Sequence, residues 1–279
     1  MQRTNASERR AAVLFVGGTL GVITLVCLGF LVVDVIIPEA AVVVGRWIPA
    51  LVALVVMRIV GLPGDVGRWW GLRPRGWRRT LVGCVIGMLG LAAIYLAAAL
   101  LTGLTGQVQP LPAADLAAAA VWLLPYALIF SLSTIGEEAG WRGFLQRLLA
   151  AQGFWRMAAI VSGVWVAFHV PLHGVMVLQG TLPLQVALAT TAGLFPLGLL
   201  LSALVARFGS VWPAVLAHAM PLSALNLVRG AGDLAALPLW LLTAVTALLL
   251  AGAAAVLARG RLPVESADAA EPQAESASS

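Results

Sequence analysis

Two adjacent carboxylates, Glu137 and Glu138, stand at the end of the apolar run 121–135. Ala139-Gly140-Trp141-Arg142-Gly143 follows them. The chain has 3 histidines, His169, His173 and His218, each in a largely apolar stretch. Carboxylates and imidazoles take a proton from water, steady a developing charge or ligate a metal. A charge near the bilayer centre costs roughly 2.5–3.5 kcal/mol on insertion scales, so ionisable groups in spans are functional candidates. Residues four apart share a helix face, so Glu138 can meet Arg142. Glu137 is turned about 100° away and is free to face another helix. Gly136, Gly140 and Gly143 leave room for a neighbouring helix to approach closely.

Each feature has a plainer reading. A Glu-Glu pair at a helix end can be an interfacial charge cluster with Arg142 as its partner. A membrane histidine is more often a hydrogen-bonded packing residue than a catalyst, and His173 fits that reading best. What favours chemistry is coincidence. Counted along their helices, His169 lies ~18 Å and His218 ~12 Å from the inner ends, and Glu137 stands near the inner end of its own. Three separate helices thus carry Glu137, His169 and His218 to similar levels. Pro171 and Pro221, just after two of the histidines, should bend their spans and free backbone carbonyls. Bent helices around buried polar groups suit a cavity.

The elements that must position these residues are membrane spans. The 279 residues are 61% hydrophobic and 10% charged, where a soluble domain carries about 25% charged residues. A span takes about 20 apolar residues. Eight stretches qualify: 11–37, 41–60, 81–101, 116–135, 157–176, 184–206, 211–228 and 234–257. The seventh is short and interrupted by Pro213 and Pro221. The fold class expected is therefore all-α, a polytopic transmembrane helical bundle. Segment 1–10 would be an N-terminal cytoplasmic piece and 11–112 would hold the first three spans. Segment 113–258 would form the catalytic core. The segment 259–279, rich in Ala, Ser, Glu and Pro, would be a disordered tail.

All 17 basic residues are Arg. With the N-terminus inside, all but Arg46 and Arg229 fall near inner ends, which places both termini in the cytoplasm. The net charge of +5 therefore reports topology, and nucleic acid is not expected as a partner. The connector 61–79 mixes Arg with Trp69, Trp70 and Trp77 and reads as an interfacial anchor. Cys27 and Cys84 lie in apolar runs and read as packing residues. The first apolar run is too long for a signal-peptide core, so it reads as a retained span.

These residues resemble a known family. Glu137-Glu138 with Arg142 is similar to the first motif of the CPBP family, the type II CAAX prenyl endopeptidases and bacteriocin-protection (Abi-like) membrane proteins. The family's second motif is an aromatic, usually Phe, four residues before a His. Here Trp165 precedes His169, and Val170-Pro171 follows. The third motif is a His followed four residues later by Asn or a similar polar residue. His218, within 210–219, resembles it, and Leu222 occupies the Asn position. The motifs cover roughly 115–228.

The resemblance implies an intramembrane endopeptidase of eight helices, often described as a metalloprotease. Glu137 and His169 would activate water, and His218 would stabilise the oxyanion. Glu138, Arg142 and Trp165 would support them. Leu222 cannot donate a hydrogen bond, and losing one oxyanion donor typically costs ~100–1,000-fold in rate. Glu137, His169 and His218 also match a catalytic zinc set, so a divalent metal and a metal-free mechanism are equally open. The expected partners are a peptide or a lipidated, CAAX-like protein, together with membrane lipid. The expected place is a bacterial plasma (inner) membrane, with the site facing the cytoplasmic half. Two other readings stay open. One is an inactive scaffold or bacteriocin self-immunity protein of the same fold. The other is a transporter or proton relay, although no internal repeat is visible.

Overall fold

The computed structural model describes residues 6–259. Helix α1 (Ala6–Val32) starts before the expected first span. Helices α2 (Glu39–Gly45) and α3 (Ile48–Val60) form one crossing, broken at Arg46 and Trp47. Pro49 lies in the first turn of α3, where a missing N–H costs nothing. The connector holds α4 (Val66–Trp69), capped by Asp65, whose side chain accepts from the Arg68 N–H at 3.1 Å. Then come α5 (Trp77–Gly103) and α6 (Ala113–Glu138). A π-helical turn (Ala139–Leu145) carries α6 on into α7 (Gln146–Leu148). Helices α8 (Phe154–Leu178), α9 (Leu184–Phe208), α10 (Trp212–His218) and α11 (Ala236–Leu257) complete the described chain. Among the described residues no strand forms, and a lone antiparallel bridge joins Pro110 and Val228.

This is the polytopic helical bundle that the composition implies. Its polarity is reversed from that of a soluble protein: Val121 is 71% and Leu248 74% exposed, while Glu137 is 1% and Arg142 2% exposed. Among the described residues, 7 stretches are long and apolar enough to cross a membrane, against the eight expected. The difference lies in 211–228. Helix α10 has 7 residues, a rise of about 10 Å, or a third of a bilayer core. Pro221 explains the early stop, because proline has no N–H and drives the residue before it out of the helical region. The remainder turns into a short 3-10 helix (Leu225–Leu227). Backbone bonds from Leu111 N–H to Leu227 O (2.9 Å) and from Arg229 N–H to Gln109 O (2.8 Å) fasten it to the segment before α6. The tail expected at 259–279 and the start of the N-terminal segment fall almost wholly outside the described residues.

The connector does more than anchor an interface. Ser210 Oγ and Val211 N–H donate to Gly71 O at 3.3 and 3.1 Å, and Trp212 Nε1 donates to Leu72 O at 3.0 Å. The connector thereby fixes the start of α10. Trp69 is buried against Phe144 of the π-turn, with ring centroids 5.6 Å apart.

Candidate active site

The end of α6 and the π-turn present a glycine face. Gly140 lies against Pro49, and Gly143 lies against the backbone of Trp70. A Cβ at Gly136 would sit 2.7 Å from the Arg46 carbonyl oxygen. Only glycine lets the α2–α3 break come this close. That break delivers Arg46 to the level of the glutamates.

The two carboxylates diverge as helix spacing requires. Glu138 is a brace. Its Oε1 accepts from Arg142 Nη1 at 2.9 Å and from His218 Nδ1 at 2.8 Å. Arg142 also stacks on Trp165, 4.4 Å from the ring centroid. Glu137 faces elsewhere. Its Oε2 accepts from Trp165 Nε1 at 2.6 Å, and its Oε1 lies 3.5 Å from Arg46 Nε. Arg46 in turn donates through Nη1 to Ser133 Oγ at 3.4 Å.

The partners of the histidines define their tautomers. His169 Nδ1 meets the Trp165 carbonyl at 2.9 Å, and a carbonyl only accepts, so Nδ1 carries the proton. His218 Nδ1 donates to the Glu138 carboxylate. His173 Nδ1 meets Thr191 Oγ1 at 2.7 Å; that hydroxyl already donates to Ala187 O, so His173 donates too. In the neutral form, Nε2 of each ring is a lone-pair acceptor.

Glu137, His169, His173, His218 and Arg46 line one cavity of ≈ 340 Å³. The three residues expected to act together therefore share a wall. Cys27, Phe30, Ile37 and Met176 also line it. It thus extends along the later halves of α1 and α8, away from the Arg-rich connector. A second cavity of ≈ 250 Å³ shares Thr190, Leu194 and His218 with the first, and Leu222 and Ser223 lie on its wall. His218 stands between the two chambers. Asn226 does not take up the role of the missing family Asn: it is exposed, and its Oδ1 accepts from Ser223 Oγ at 2.7 Å.

Arg46 escaped the sequence reading, which took it for a charge at an outer span end. The available signal was its position inside an apolar run, where any charge calls for a partner. A zinc site would need three converging donors. Among the described residues, no group of three or more His, Cys, Asp or Glu side chains could hold a metal ion. Glu137 already meets Trp165 and Arg46. The arrangement does not fit the zinc set, and no step below uses one.

Residues 118–221 match the family model described as type II CAAX prenyl endopeptidase Rce1-like. The matched segment includes Glu137, Glu138, Arg142, Trp165, His169 and His218, ends one residue before Leu222, and excludes Arg46. No curated protein matches the chain. The kind of function this supports is that of a CAAX-type intramembrane protease in a multi-pass membrane protein.

Proposed function

We propose that the protein is an intramembrane endopeptidase that hydrolyses a peptide bond of a membrane-associated or lipidated, CAAX-like substrate. The observation that carries this reading is the shared cavity of Glu137, His169 and His218 inside an apolar bundle. Glu137 is the general base. His169 offers its Nε2 lone pair to the same water, so two acceptors orient one nucleophile. His218 lines the same cavity, at the position where the resemblance implies an oxyanion donor. Glu138, held by Arg142, keeps that ring in place. The Arg distribution supports an orientation with the connector end in the cytoplasm, in a membrane that we take to be the plasma membrane. The cavity then extends from the glutamates toward the opposite face, not into the cytoplasmic half.

The test is cleavage of peptide libraries and of a farnesylated CAAX peptide by the purified protein in detergent. Glu137→Ala should abolish cleavage, and Val121→Ala, on the lipid-facing surface of α6, should leave it intact. Cleavage that survives Glu137→Ala would remove the mechanism. A wild-type protein that binds such peptides without cutting them would favour the inactive scaffold, the reading that Leu222 supports.

A further inference from the structure

Hydrolysis as proposed above needs a donor for the oxyanion, and the positions that the family resemblance supplies for it are poor ones here. Leu222 has no donor and lines the second cavity, not the one that holds Glu137. His218 spends its Nδ1 proton on Glu138, so neutral His218 has no proton at Nε2 to give. Arg46 differs on both counts. It lines the cavity of Glu137, and its guanidinium carries five donors that stay protonated. Its side chain is 29% exposed, and its Nε lies 3.5 Å from Glu137 Oε1.

We propose that Arg46 is a catalytic residue of this site, one that binds the oxyanion formed when Glu137 activates water. The proposal rests on the endopeptidase reading. In the attack step a water proton moves to the Glu137 carboxylate, the water oxygen bonds to the carbonyl carbon, and the C=O π pair moves to oxygen. The carboxylate charge disappears as the oxyanion charge appears. A cation beside both is drawn from the first to the second with no change in net charge. On collapse the C=O re-forms, the C–N bond breaks, and the leaving nitrogen takes the proton from Glu137. Arg46 is therefore more strongly held in the transition state than in the ground state, which is the condition for raising kcat. The glycine at 136 makes this possible by letting the Arg46 backbone rest on the helix that carries the base.

The experiment uses the full chain in nanodiscs, the peptide it cleaves, and that peptide with a phosphinate replacing the scissile amide. Arg46→Met should lower kcat about 100–1,000-fold, with KM within about threefold, and should weaken phosphinate binding by a similar factor. Arg46→Lys should fall between wild type and Arg46→Met, and it stands in if Arg46→Met does not fold. The same change is then made in a Glu137→Gln protein, which takes up no proton. If Arg46→Met still weakens phosphinate binding there, Arg46 acts on the oxyanion itself. If that loss vanishes, Arg46 acts only by holding Glu137, and the proposal is overturned. Undiminished kcat in Arg46→Met also overturns it, while a Glu137-dependent wild-type activity would leave the endopeptidase reading standing. Wild-type cleavage that does not depend on Glu137 would instead fail the endopeptidase reading.

Discussion

Trp165 donates its indole N–H to Glu137 Oε2 at 2.6 Å, from a ring that is itself fully buried. The same ring packs edge-on against His169 and His218, with centroids 5.3 and 5.2 Å away. One side chain thus spaces Glu137 and both imidazoles. Phenylalanine, the usual residue at this motif position, would keep an aromatic ring there, in a smaller volume, and lose the bond. Hydrogen bonds to charged groups contribute about 1.5–3 kcal/mol. Trp165→Phe should stay folded and lose about tenfold in kcat with little change in KM. Steady-state kinetics on the cleaved peptide measures both.

The two glutamates should separate cleanly under mutation. Removing Glu138 leaves the buried Arg142 guanidinium without its ion-pair partner and frees the His218 ring. Breaking a buried pair this way costs about 3–5 kcal/mol. Glu138→Ala should therefore lose thermal stability in detergent, with activity falling because the protein unfolds. Glu137→Ala leaves the half-buried Arg46 without its carboxylate and the buried Trp165 N–H without an acceptor, a loss of about 1–3 kcal/mol, so it should be inactive yet more stable than Glu138→Ala. Equal melting temperatures for the two variants would contradict the division of labour.

Gly136 sets the distance between Glu137 and Arg46. A methyl at this position meets backbone atoms of Arg46 and Trp47 at 2.7 Å, and backbone cannot rotate away. Overpacking of this kind costs about 1–3 kcal/mol. Gly136→Ala should lower thermal stability by that amount and reduce activity further than the stability loss explains. Gly163→Ala, on an open face of α8, should do neither.

The direction of the cavity can be read with a thiol label. Met176 lies on its wall, toward the end of α8 away from the connector. In a protein lacking Cys27 and Cys84, Met176→Cys should react with a membrane-impermeant maleimide added from outside the cell. An introduced cysteine at Arg73, in the connector, should react only in inverted vesicles. The reverse pattern would mean that the Arg-rich face points outward.

Much of the site was legible because it follows from helix period and from the cost of burying charge. The four-residue spacing of Glu138 and Arg142 fixed their pairing, and the turn between neighbours sent Glu137 the other way. The extent of α10 was not legible, since hydrophobicity continues past the point where Pro221 ends the helix. Nor was the contact of Arg46 with Glu137, which joins residues far apart in the chain through a glycine face whose partner no local pattern names. The role of Trp165 was visible only as an aromatic; its N–H acquired meaning when α8 packed beside α6.

Three histidines spend their only neutral-state proton on the protein, and the cavity they line is left rich in lone pairs. Away from Arg46, the histidine side of the wall accepts hydrogen bonds more readily than it gives them. A peptide brings backbone N–H groups that satisfy it, whereas a depsipeptide brings an ester oxygen that offers nothing in return. For the proposed endopeptidase, these tautomers should favour binding of amides over esters, in opposition to the intrinsic ease of ester hydrolysis. An ester analogue of the cleaved peptide should show a higher KM than the amide, and equal values would remove this origin of selectivity.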